Sequence, residues 1–155
     1  MRQAVMPQPG VIEFKEVEKP TLSNPDEVLL NIKKIGVCGS DIHVYHGLHP
    51  FTPYPVVQGH EYSGEVVEVG ANVTKVKVGD KATARPQLVC GVCPACKRGD
   101  YNICNELKVQ GFQSGGTAQD YFVLPEDRLI KIPDHVTFEM GALVEPAAVA
   151  AHCTT

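Results

Sequence analysis

Over most of the chain, hydrophobic residues recur at every second position in short runs, which is the spacing of half-buried strands rather than of helices. Val28, Leu30 and Ile32 share one face of a strand predicted over Glu27–Ile35. Ile35 and Val37 then fall on the opposite parity, so a bulge or strong twist near Lys33-Lys34 is expected to keep both sets inward. Further strands are predicted at Arg2–Met6, Ile12–Val17, Ser63–Val69, Lys108–Phe112, Ala118–Leu124 and Arg128–Ile132. Shorter β pieces are expected at Val73–Val78 and Lys81–Ala84 around the Gly79-Asp80 turn. Helical signals come only past Pro133. Thr137 is placed to cap Phe138–Val144, and Pro146 suits the first turn of a second helix over Ala147–Ala151, with Glu145 at the junction. The chain therefore reads as mainly β with short helices.

Between Pro86 and Glu106 this periodicity disappears and four cysteines take its place, so the segment is expected to be a lobe held by something other than apolar burial. Cys90, Cys93, Cys96 and Cys104 lie close together, with Gly91, Pro94 and Gly99 to fold the backbone back on itself. Four thiolates at about 2.3 Å satisfy a tetrahedral Zn²⁺ and leave no position open, the pattern of a structural site. An iron–sulfur cluster and two disulfides are the alternatives. The bacterial cluster run ends in a three-residue gap followed by proline, whereas here seven residues precede Cys104 and Asn105 follows it.

Composition narrows the function classes. With 155 residues, 43% of them hydrophobic, the chain is long enough for one globular domain with a sizeable core. A formal net charge of −4 and no clustered Lys and Arg argue against a nucleic-acid partner. The stretch Met1–Gly10 has no long apolar run, so neither a signal peptide nor a membrane anchor is expected, and a cytoplasmic location is the default. In a reducing compartment, closely spaced cysteines favour metal thiolates over disulfides.

A second group of ligands does not close. Cys38 follows the long predicted strand, and His60-Glu61 follows a proline-rich loop, giving one sulfur, one nitrogen and one oxygen. Adjacent side chains of a regular strand point to opposite sides, so His60 and Glu61 can face one ion only if the backbone turns, which Gly59 and Gly64 permit. Three protein ligands and an open position are the pattern of a catalytic zinc, acting as a Lewis acid. An alcohol bound there would need an exit for its proton. Ser40 can accept and pass it, His43 can hand it to solvent, and Asp41 can hold the His60 ring from behind. The competing reading of Ser40 and Asp41 is a pair of caps on a helix starting near Ile42.

Taken in order, Cys38-Gly39-Ser40-Asp41-x-His43, Gly59-His60-Glu61-x2-Gly64, Val78-Gly79-Asp80 and the four-cysteine lobe resemble the zinc-containing medium-chain dehydrogenases. The stretches Ile35–His43 and Leu143-Val144-Glu145-Pro146 are similar to the sorbitol and polyol dehydrogenase branch. The resemblance implies a GroES-like catalytic domain over residues 1–155, a partly open β-barrel with a structural-zinc lobe at about 86–106. It also implies two zinc ions, one catalytic and one structural, a small alcohol or polyol substrate, and a homo-oligomer when full-length. In that branch a carboxylate matching Glu145 stands near the catalytic zinc, so Glu61 and Glu145 compete for the inner position. NAD or NADP would be bound by a Rossmann domain, which is expected to lie outside this chain, since no Gly-x-Gly-x-x-Gly fingerprint occurs in it. Two rivals to the enzyme reading are a zinc-bound structural or interaction module and a co-chaperonin-like subunit. Neither has any need of an open ligand set beside Ser40 and His43.

Overall fold

The computed structural model describes residues 1–154. Strands β1 (Arg2–Gln8) and β2 (Val11–Glu16) form a hairpin. Strand β3 (Glu27–Ile35) pairs on one side with β4 (Tyr62–Val69) and on the other with β8 (Tyr121–Pro125). With β5 (Lys81–Ala84) and β9 (Leu129–Ile132) these make an antiparallel sheet in the order β8-β3-β4-β5-β9. Its outer strands do not pair with each other, so the barrel stays partly open. Single bridges from Gln3 to Gln119 and from Met6 to Val56 join the hairpin to the segments that lead into β8 and β4.

Alternation decides which residues fill the barrel. Val28 and Leu30 from β3, Val66 from β4, Ala82 and Ala84 from β5, and Leu124 and Leu129 from the edges pack around Tyr62. Each large aliphatic side chain removed from water there contributes about 1.5–3 kcal/mol. A second cluster of Met6, Val44, Val56 and Phe112 lies beneath helix α1 (Gly39–Tyr45). The bulge expected near Lys33-Lys34 is present as a register shift between Ile32 and Lys34 in the pairing with β4. It does not turn the following residues inward. Ile35, the last residue of β3 and paired with Tyr62, is 46% exposed, and Val37, where the chain has left the sheet, 70%. Together with Ile12, Phe14, Ile42 and Tyr45 they line a surface hollow of about 510 Å³.

The strands predicted over Val73–Val78, Lys108–Phe112 and Ala118–Leu124 are shorter or absent, each because other partners take the backbone groups that a ladder would use. Val73–Val78 is a loop: Thr74 N–H donates to the Glu126 carboxylate at 2.6 Å, Lys75 N–H donates to the same oxygen, and Lys77 N–H donates to Asp80 at 3.0 Å. Only Lys108–Val109 (β7) pairs, with β6 (Gln87–Leu88), and the chain turns after it as Phe112 and Gln113 donate back to the Val109 carbonyl. Ala118 donates to the Gln58 carbonyl instead of joining β8.

Helix α1 begins at Gly39, earlier than the alternative cap reading required. Asp41 then lies within its first turn, accepting from Cys38 N–H. The lobe carries helix α2 (Pro94–Arg98). Past β9, Thr137 caps helix α3 (Phe138–Ala142) by accepting from Met140 N–H at 3.2 Å. Helix α4 (Val144–Cys153) is longer than predicted and holds Pro146 in its first turn, where a missing N–H breaks no helical bond. No helix among the described residues is long and apolar enough to cross a membrane.

Candidate metal centre

The lobe draws its four sulfurs together. One ligand atom from each of Cys90, Cys93, Cys96 and Cys104 lies within 4.8 Å of the others, and all four thiols are free. Four sulfurs about 2.3 Å from a common centre sit about 3.8 Å apart at the corners of a tetrahedron; Cys90 Sγ and Cys96 Sγ are separated by 3.9 Å. Backbone N–H groups point at the sulfurs, from Cys90 to Cys104 and from Cys93 to Cys90 at 3.3 Å each, and from Cys96 to Cys93 at 3.5 Å. That donation, with Cys96 N–H foremost, holds the Cys93 thiol down at about 6, whereas burial pushes Cys96 up to about 12. A cation at the centre replaces the shared protons. The donor set fits zinc in a closed site.

The open set is assembled from two separate pieces of chain. Cys38 stands at the mouth of α1, and His60 and Glu61 lie just ahead of β4, and one ligand atom from each falls within 4.8 Å of the other two. The turn that makes adjacent side chains converge is at Gly59, where φ is +103°, a region that side chains other than glycine rarely adopt. A Cβ on Gly59 would also meet Thr117 Oγ1 at 2.9 Å. Gly36 makes room for the carboxylate: a Cβ there would lie 2.3 Å from Glu61 Oε2. Nothing in the alternation of the sequence marks Gly36, because its role is to be small beside a residue distant in the chain.

Asp41 is buried behind the ligands. It accepts from Cys38 N–H at 2.9 Å and from Gln58 Nε2 at 3.2 Å, and its Oδ1 lies 3.9 Å from His60 Nδ1. That last separation is too long for a hydrogen bond and leaves His60 Nδ1 buried without a hydrogen-bond partner. Burial raises the Asp41 pKa, opposed by the Cys38 N–H and the nearby His60 ring. Glu145, in the first turn of α4, stands outside the three-residue group yet close enough to feel it. Burial raises its pKa, His60 pulls it down and Glu61 pushes it up. Ser40 is half-buried and His43 exposed, and no hydrogen bond joins them.

An aromatic column rises over the ligands. Phe112 lies 5.0 Å from the His60 ring on one side and is stacked on His49 at 4.7 Å on the other. His49 is half-buried, with Nδ1 2.7 Å from Thr52 Oγ1. Phe51, close to His49 in an edge-to-face contact, is 72% exposed.

Comparison with known proteins places the sequence and the fold. The chain is 45% identical over 128 residues to D-arabitol-phosphate dehydrogenase of Enterococcus avium, an alignment covering 82% of this chain and 36% of that protein. It is 42% identical over 154 residues to the D-xylulose reductase of Scheffersomyces stipitis, covering 92% of this chain and 42% of that one. Among solved structures, galactitol-1-phosphate dehydrogenase from Escherichia coli superposes with a TM-score of 0.91 at 31% identity, over 98% of this chain and 44% of that one. The 2R,3R-butanediol dehydrogenase of Bacillus subtilis superposes at 0.87 with 36% identity, over 99% and 46%. The chain thus spans about two-fifths of the length of these curated relatives. The model of the alcohol dehydrogenase GroES-like domain matches residues 24–134, and the chain belongs to that family.

Proposed function

We propose that this chain is the zinc-binding catalytic part of a longer NAD(P)-dependent dehydrogenase acting on polyols or their phosphate esters. The observation that carries the reading is the open set of Cys38, His60 and Glu61 beside a closed four-cysteine set. A scaffold needs only the second. Relatives within the family include dehydrogenases named for polyols and polyol phosphates.

Cys38, His60 and Glu61 would hold a catalytic zinc and Cys90, Cys93, Cys96 and Cys104 a structural one. When bound, the first ion supplies a Lewis acid for the substrate hydroxyl and the nicotinamide supplies the hydride acceptor. The residues of the chain do the rest. Asp41 sets a buried carboxylate 3.9 Å behind His60 Nδ1, and Glu145 stands by as a second carboxylate whose negative charge burial disfavours. Ser40, half-buried at the mouth of α1, takes up the hydroxyl proton, and exposed His43 passes it to solvent. With no direct hydrogen bond between the two, the substrate or a water completes the path. By family resemblance the full-length protein is a cytoplasmic homo-oligomer.

The test is turnover by the full-length protein with a panel of pentitols, hexitols and their phosphates, followed by the absorbance of reduced nicotinamide. His60→Ala is expected to abolish turnover while circular dichroism stays that of the parent, and a variant that keeps full activity would overturn the assignment.

A further inference from the structure

Arg128 is a buried cation without an acid. It is 8% exposed, and its guanidinium donates to the Arg85 carbonyl at 2.9 and 3.2 Å and to Gln110 Oε1 at 2.7 Å. No described carboxylate lies within ion-pair distance of it, and burial lowers its pKa. Burying a charge on neutral acceptors costs stability that apolar packing would not, so the arrangement calls for a structural consequence. Its partner Gln110 is wholly buried, with its own N–H donating to the Pro86 carbonyl at 3.0 Å. Arg85 and Pro86 lead directly into the four-cysteine lobe, so both bonds fix Gln110 to the base of that lobe.

From Gln110 the chain runs straight onto the open site. Gly111 approaches Gly59 so closely that a Cβ on it would meet Gly59 N at 2.9 Å. Phe112 packs against the His60 ring. Gly116, Thr117 and Ala118 then donate to the Val57, Gly59 and Gln58 carbonyls at 2.8, 3.0 and 2.9 Å. The Gln110 amide itself reaches towards the Gly59 carbonyl at 3.5 Å, a weak contact beside these. The His60 turn is therefore clamped by one loop, and the buried side-chain anchor of that loop is the Gln110–Arg128 bond, with Gln113 Nε2 donating to the Phe51 carbonyl at 3.2 Å nearer the surface.

We infer that Gln110 and Arg128 are positioning residues that fix the His60 turn to the base of the cysteine lobe, so that the open metal site keeps its geometry. This rests on the reading of Cys38, His60 and Glu61 as a metal site. Neither residue touches the ion or the substrate; each acts through the loop.

The full-length protein, with the lobe metal retained and the open site loaded with Co²⁺, gives the test through the visible absorption of the cobalt. Gln110→Leu is expected to weaken Co²⁺ binding at the open site about tenfold, the size seen when partners of metal ligands are lost, and to shift its spectrum. Gln110→Glu keeps an acceptor for Arg128 and should restore both. Where Gln110→Leu also loses the lobe metal, Arg128→Met decides, because it cuts the same bond without leaving a buried charge; a tenfold loss there supports the inference. Wild-type affinity and spectrum in either cut variant would overturn it alone. A parent protein that takes up no Co²⁺ outside the lobe would overturn the open-site reading, and this inference with it.

Discussion

In the lobe, four sulfurs converge from the single short segment Cys90–Cys104, while its apolar side chains Val92, Tyr101 and Ile103 face outward. At the open site, three ligand atoms of three kinds come from the end of β3 and the turn before β4, each backed by buried groups of the barrel. The lobe makes its own site by local turns and backbone N–H donation. The open site is made for it by the sheet. A metal bound in the lobe contributes to folding, because little else holds that segment, whereas a metal at the open site finds a cradle already formed.

The largest expected effect tests the first half of that contrast. Cys93→Ser removes a ligand whose thiol is already biased towards thiolate by the Cys96 N–H. Metal content should fall by one ion per chain, and the loss of several kcal/mol should lower Tm by about 10 °C, given the 2–4 °C per kcal/mol typical of a domain this size. An unchanged Tm would show that the lobe stands without its ion and would erase the distinction drawn here.

A smaller effect is expected from Asp41→Asn, which tests the second half. The variant keeps the shape of the side chain and an acceptor for Cys38 N–H, but removes the charge that faces His60. Affinity at the open site should drop about tenfold, with the lobe unaffected, as metal titration of the two sites would show. Equal loss at both sites would mean that the two are not built separately.

The same contrast explains what was legible in the sequence. The lobe was readable because its ligands are neighbours and their spacing alone encodes the site. Alternation in β3, β4, β8 and β9 located most of the barrel, and Cys38, His60 and Glu61 were recognisable as a group by residue type. What escaped was long-range. Val73–Val78 alternates like a strand, but Glu126, distant in sequence, captures its N–H groups. Ile35 and Val37 read as core and are exposed. Gly36 and Gln110 carry no local signal, and nothing at the start of the strand predicted over Arg128–Ile132 marks Arg128 as buried. Glu61 was a candidate from its place beside His60 and Glu145 only through the family resemblance; the fold puts Glu61 in the group and Glu145 beside it.

The smallest predicted effect concerns the sheet on which the open site depends. Asp80 is buried at the turn into β5 and accepts from Lys131 at 2.8 Å, from Lys77 Nζ at 2.7 Å and from Lys77 N–H at 3.0 Å. These contacts, Lys131 first, hold its carboxyl well below the ordinary carboxylate range. Because both lysines reach solvent, their attraction is screened, and Asp80→Asn should cost about 1.5 kcal/mol at neutral pH, the low end for hydrogen bonds to a charged group. That corresponds to about 4 °C in Tm. The folded pKa is depressed, so the stabilisation is complete above the unfolded carboxylate value of about 3.9 and disappears as pH falls through that value towards the folded one. The Tm gap between parent and variant should therefore be flat from pH 8 to pH 5 and shrink steadily below pH 4. A gap that persists unchanged into acid would mean that Asp80 acts through shape rather than charge. The barrel that holds the open site would then owe nothing to this ion network.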